Sequence, residues 1–297
     1  MVTSWLWVVF TLVAASAQTV RNAMQRELTR SLGTLGATHV RFLFGFPFAL
    51  VFLAGVMLWT GAPLPHPGWR FWQWVLEGSG AQIAATALML ATMGERSFVV
   101  TIAYLKTEPI QVAIFGLIFL GDAVTLLMMV AIVVATAGVI TMSTKPGGMV
   151  GGVRPMLLGL TSGGMFALSA IGYRGAILSL GLSNYLMAAT FTLAVGLVAT
   201  TIMLSSYLML RSPGVMMAIV KAWRPSMFAG FMGAFASQFW FLGFAVTSAA
   251  NVRTLALVEV LFAQLVARFA FGQRTTAREA VGMVLVVAGV VLLILAH

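Results

Sequence analysis

Ten stretches of about twenty residues, nearly free of charge, follow one another along this chain. They run over about 4–22, 38–60, 71–93, 98–120, 124–142, 155–174, 185–210, 225–248, 252–271 and 277–296. The hydrocarbon core of a bilayer is about 30 Å thick, so a crossing helix needs roughly 20 apolar residues. Inside that core every backbone polar group needs a partner, which leaves helices and closed barrels as the spanning structures. These runs are continuously apolar and do not alternate in ten-residue strands, so a barrel is excluded. The expectation is an all-α integral membrane protein with ten transmembrane helices. Composition agrees: 61% of the 297 residues are hydrophobic and 8% are charged, against about 25% charged in soluble domains. No polar stretch is long enough for a separate soluble domain, so residues 1–297 read as one membrane domain.

The first run contains "AASAQ", which resembles a signal-peptide cleavage site. A signal peptide would carry a basic leading region, and "MVTSW" has none. The run is therefore read as a true span.

The net charge of +10 does not indicate nucleic acid, because the basic residues are scattered singly between apolar runs. Nucleic-acid proteins gather them on one face or segment. With no cysteine, and with His39, His66 and His297 far apart, no metal site or other cofactor is expected. An intramembrane enzyme would need a nucleophile–base pair or a metal cluster. No Ser/His/Asp, Cys/His or His-rich grouping is present.

The two halves echo each other. "FLGDAVT" at 119–125 matches "AFGQRTT" at 270–276 with an offset of 151, and the same offset pairs Glu108 with Glu259 and Gly138 with Gly289. Offsets of 153, 154 and 156 pair Arg21 with Arg174, "GWR" with "AWR", and Gln82 with Gln238. Five spans per half is an odd number, so the second half enters the membrane inverted. Such repeats are a common plan of secondary transporters, with the site near the midplane. The division expected is a first repeat over 1–143, a linker over 144–153 and a second repeat over 154–297.

Of the 17 basic residues, thirteen fall to one side of the membrane, Arg21 and Arg41 among them; Arg70, Arg174 and Arg253 fall to the other, and Lys106 lies within a span. Lys and Arg favour the cytoplasmic side, so both termini are expected outside the cytoplasm.

Ten spans in two halves, each closing on an "LGD" or "FGQ" turn, resemble the EamA-type permeases of the drug/metabolite transporter superfamily. Their "(E/S)P-x-F…LLLGE-x-[LT]" stretch is similar to "TEPIQVAIFGLIFLGDAVT" and "VEVLFAQLVARFAFGQRTT" here, with Asp122 and Gln273 at the terminal glutamate and Val260 at the position of Pro109. The resemblance implies a multi-pass inner-membrane protein that exports or exchanges small metabolites, amino acids among them, through a cavity between the halves. It also implies termini inside, which the charge distribution of this chain opposes.

Charged side chains at mid-membrane are costly, about 2.5–3.5 kcal/mol on insertion scales, and usually line transport paths or proton relays. Lys106, Glu108 and Glu259 lie near the middle of their runs and Glu77 nearer an end. At helical spacing Glu108 shares a face with Tyr104 and Gln111, a stripe suited to a cavity wall. Glu108 either contacts a cationic group of the substrate or carries a coupling proton, or it is ion-paired to make a kinked helix insertable. Pro109 would break that helix. Lys106, two helical steps from Glu108, faces away from it and would take a structural partner such as Glu77 or snorkel. Glu259 enters through its equivalence to Glu108. Gln82 and Gln238 occupy matching spans, and Gln238 with Phe231, Phe235, Phe241 and Trp240 forms either a pocket or an ordinary interhelical contact. Gln18 is a further candidate of that kind. The stripe Gly159, Gly163, Ala167 reads as close helix packing. The expected partners are a small-molecule substrate, the lipid bilayer and a proton as coupling ion, with oligomeric state left open.

Overall fold

A computed structural model describes residues 3–95, 101, 104–143, 153–261 and 276–296. Among them there is no strand, and the chain is helical almost throughout. The helices are α1 (Thr3–Leu43), α2 (Phe46–Thr60), α3 (Trp69–Glu95), α4 (Glu108–Phe115) running into a π turn (Gly116–Leu120), and α5 (Leu126–Ser143). After them come α6 (Val153–Ser179), α7 (Tyr185–Arg211), α8 (Pro213–Lys221), α9 (Trp223–Val246), α10 (Ala249–Leu255) with a 3₁₀ turn (Ala256–Val258), and α11 (Ala277–Leu295).

Among the described residues, five helical segments are long and apolar enough to cross a membrane: Met24–Thr60, Val153–Ser179, Tyr185–Arg211, Trp223–Val246 and Ala277–Leu295. Shorter apolar helices cover Glu108–Leu120 and Leu126–Met142. The outward faces suit lipid, with Leu58, Val284 and Leu295 all well exposed. Trp59, Trp69 and Trp223 stand exposed at helix ends, where indole rings favour the membrane–water boundary.

The polar stretch between the first two runs is not a loop. Residues 24–32 continue α1, with Arg30 and Glu27 in ionic contact at 2.9 Å one turn apart, and "MQRELTRSL" is rich in good helix formers. Gly33 then interrupts the helix at φ 68°, ψ 177°, a conformation open to glycine and costly for other residues. The chain turns there without leaving helical structure for long, and Val40, Arg41 and Phe42 enter the core. The linker expected at 144–153 lies outside the described residues except for Val153, and so do parts of the runs 98–120 and 252–271.

Three antiparallel or parallel helix contacts dominate the packing: α1 lies along α9, α3 along α6, and α5 along α11. Small residues permit the approach. Gly78 of α3 meets Gly172 and Tyr173 of α6. Some buried hydroxyls bond one turn back, as Thr11 does to the Trp7 carbonyl and Thr192 to that of Ala188, both at 2.7 Å. Such bonding lets polar residues enter an apolar interior. Three helix starts carry side-chain caps: Asn184 accepts from the Met187 amide at 3.1 Å, Ser248 from that of Asn251 at 3.2 Å, and Thr276 with Glu279 forms a reciprocal capping box.

Candidate functional site

The site is built where the fourth run breaks. Tyr104 and Leu105 are helical, Lys106 and Thr107 form a turn, and the helix restarts at Glu108 with Pro109 in its first turn. Pro109 has no amide hydrogen and disfavours helical geometry in the residue before it. Thr107 compensates, its amide and its hydroxyl both donating to the Tyr104 carbonyl, at 3.3 and 2.9 Å. An unbroken helix would hold Lys106 and Glu108 on different faces; the turn brings both to one cavity. The expected opposition of the two side chains is therefore corrected by the break.

That cavity is also lined by Gln18, Arg21 and Asn22 of α1, by Arg253 of α10 and by Glu259. Two ion pairs cross it in opposite senses. Lys106 pairs with Glu259, and Arg253 is in ionic contact with Glu108 at 3.1 Å, without the alignment of a hydrogen bond. Each pair joins the fourth run to the ninth. Glu77, the partner expected for Lys106, instead lies on α3 with its carboxylate over Gly172.

An adjoining cavity shares Gln18, Phe166 and Arg253 and adds Arg41, Gln82, Tyr173, Ser237 and Trp240. Arg253 stacks on Trp240, 4.4 Å from the ring centroid, a cation–π contact strengthened by exclusion of water. Trp240 Nε1 donates to Gln18 Oε1 at 3.0 Å, and Ser169 donates to Gln82 Oε1 at 2.9 Å. Arg41 reaches the Thr86 and Ser237 hydroxyls at 3.3 and 3.5 Å. Each cavity encloses about 20 Å³, room for about one water molecule. This conformation is closed around its polar centre.

Of the residues singled out in the sequence, Glu108, Glu259, Lys106, Gln18, Gln82 and Trp240 come together here. Tyr104 and Gln111 do not: Tyr104 packs on Gly159 of α6, and Gln111 lies against Gly164 and donates to Thr107 Oγ1 at 3.2 Å. The turn sets aside the helical spacing of Tyr104 from Glu108, while Gln111, on the same helix as Glu108, turns to the small-residue face of α6, the packing surface expected of Gly159 and Gly163. Gln238 donates to Thr190 Oγ1 at 2.8 Å, an interhelical bond to α7, while Phe231 and Phe235 stack on each other at 5.8 Å.

Four arginines treated as topology-setting charge are inside the bundle instead. Arg21, Arg41 and Arg253 are buried. Arg174 holds Asp122 through two bonds of 3.2 and 3.1 Å and donates to the Phe244 and Thr247 carbonyls. A signal was present: Arg21 and Arg174 pair at a sequence offset of 153, and arginines placed only to set topology need not recur in this way.

No family model matches the chain, and no curated protein is similar to it. Among 28 solved chains that do resemble it, one described only as "Crystal structure of protein" superposes with a TM-score of 0.71 at 13% identity, covering 98% of this chain and 96% of that one. At that identity the likeness is one of fold.

Proposed function

We propose that this chain is a secondary transporter of the drug/metabolite transporter type, moving small metabolites across the inner membrane by alternating access between two inverted five-helix halves. The observation that carries the reading is the pair of crossed ion pairs, Lys106 with Glu259 and Arg253 with Glu108, spanning a closed polar cavity inside an apolar bundle. Burying such groups is costly and seldom maximises stability. Contacts between halves that seal one conformation and part in another are what alternating access requires.

Helix packing supports the two-half plan. Exchanging the halves turns the contact of α1 with α9 into that of α6 with α3, and returns the contact of α5 with α11 to itself. Export of amino acids or related compounds is what the family resemblance implies, and exchange of one solute for another would use the same site. Glu108 is the carboxylate placed to carry a coupling proton, since its protonation would release Arg253.

The test is efflux from liposomes that hold the purified protein and are loaded with isotope-labelled amino acids and small carboxylic acids, read by mass spectrometry. At least one component should leave faster than from protein-free liposomes. Glu108→Gln should abolish proton-driven flux while leaving part of the exchange between identical solutes. No protein-dependent efflux would end the transporter reading, and an unchanged pH dependence in Glu108→Gln would end the proton-carrier role.

A further inference from the structure

The chain has only seven acidic side chains, and all seven lie among the described residues. Glu27 pairs with Arg30 and Glu95 with Arg154 toward the exposed surface, and Glu279 is taken up in the cap of α11. Asp122 holds Arg174, Glu108 meets Arg253 and Glu259 meets Lys106. Glu77 sits over Gly172 on an exposed face of α3. No carboxylate side chain remains for Arg21 or Arg41, although these arginines are only 1% and 5% exposed.

Their bonding confirms the shortfall. Arg21 donates only to the neutral Asn22 Oδ1, at 3.2 and 2.7 Å, and its Nη1 has no partner among the described residues. Arg41 reaches two hydroxyls at long range, and its Nε has no partner among the described residues. In the two adjoining cavities four cations, Arg21, Arg41, Lys106 and Arg253, face two carboxylates, Glu108 and Glu259. The surplus is two positive charges in an interior where uncompensated charge is strongly unfavourable.

The repeat locates the missing anion. Arg174, the echo of Arg21, is neutralised by Asp122; the residue that echoes Asp122 is Gln273, an uncharged amide outside the described residues. One half keeps its counter-ion in the chain, and the other lacks it. A solute that carries its own negative charge would complete the second half each time it binds, and would be lost to no internal competitor.

We infer that Arg21 and Arg41 recognise the anionic part of the transported solute, and that this solute is a small organic dianion, a dicarboxylate or a phosphate monoester. The guanidinium fork matches both groups in a bidentate manner. Trp240, Phe241 and Phe244 on the wall of the second cavity suit an attached apolar body. The movement of the solute rests on the transporter reading above; its binding does not.

The experiment separates the two. Thermal unfolding of the detergent-purified full chain is followed at constant ionic strength with succinate, phenyl phosphate, the neutral succinamide and the dication 1,4-diaminobutane. Succinate or phenyl phosphate, or both, should raise the midpoint saturably, and the two arms distinguish carboxylate from phosphate. Succinamide and diaminobutane should not raise it. Asn22→Asp supplies Arg21 with a carboxylate while keeping the fold-bearing arginine, and should weaken anion binding at least tenfold without lowering the midpoint of the unliganded protein. Arg41→Lys should weaken it by keeping charge and losing the fork, whereas Arg30→Gln, which removes an exposed charge, should leave it unchanged. The inference is overturned if neither dianion stabilises more than succinamide, if diaminobutane stabilises, or if Asn22→Asp binds the anion as well as the parent. Anion binding of this kind with no protein-dependent flux of any solute upholds the site and ends the transporter reading. Protein-dependent flux of neutral or cationic solutes, with anions neither bound nor moved, does the reverse.

Discussion

At the scale of single residues, the two ion pairs of the polar centre make each member depend on its partner. Lys106 and Glu259 are each only about a tenth exposed, at 11% and 12% of the side chain. Removing one partner of a buried pair leaves the other charge uncompensated, at a cost of about 3–5 kcal/mol. Lys106→Ala and Glu259→Ala should therefore each lower the unfolding midpoint clearly. The charge-exchanged double variant Lys106→Glu with Glu259→Lys should recover more than half of either loss. Thermal unfolding of the parent, the two alanine variants and the variant combining Lys106→Ala with Glu259→Ala forms a double-mutant cycle, and losses that simply add would show that the two side chains are not coupled. The placement of Lys106 and Glu108 inside the bundle was legible in the sequence, because a charge in a long apolar run is conspicuous. Their partners were not, because Arg253 and Glu259 are remote in sequence from the fourth run.

At the scale of helices, close approach is set by glycine. A methyl group on Gly289 of α11 would come within 2.6 Å of the Ala135 amide nitrogen of α5, and one on Gly138 of α5 within 2.7 Å of the Gly282 carbonyl oxygen. Backbone cannot withdraw from such contacts as a flexible side chain can, so the helices would have to separate. Gly289→Leu is expected to destabilise the protein by about 1–3 kcal/mol or more, read as a lower unfolding midpoint. An unchanged midpoint would mean that this crossing contributes little. Gly138 and Gly289 pair at a sequence offset of 151, so the sequence already pointed to a shared role. Pro109 likewise announced a break in the fourth run. What neither residue revealed was the consequence of the break, since a turn at Lys106 and Thr107 re-aims every side chain before it. Tyr104 therefore leaves the face that helical spacing assigned to it, whereas Gln111, in the same helix as Glu108, is drawn aside by Thr107 and the Gly164 face of α6.

At the scale of the whole molecule, the buried arginines change how the charge distribution is counted. Arg21 and Arg41 leave one side and Arg174 and Arg253 the other, because their side chains lie within the bundle. Of the remaining basic residues that the sequence assigns to the two sides, Arg70 stands alone against eleven, and the asymmetry that favours external termini becomes stronger. The absence of cysteine allows a direct check. In intact cells a membrane-impermeant maleimide should label His66→Cys, in the exposed connection between α2 and α3, and should label Ser31→Cys only after permeabilisation. The opposite pattern would reverse the orientation. Sequence alone determined the helical class and the apolar surface, because a bilayer tolerates few backbone solutions and each is encoded in a local run of about twenty residues. It also carried the repeat and the total of seven acids. Only the tertiary structure decided which acid meets which base, since those meetings join residues far apart in the chain, and the charge left over at Arg21 and Arg41 could be known only after every acid had been assigned.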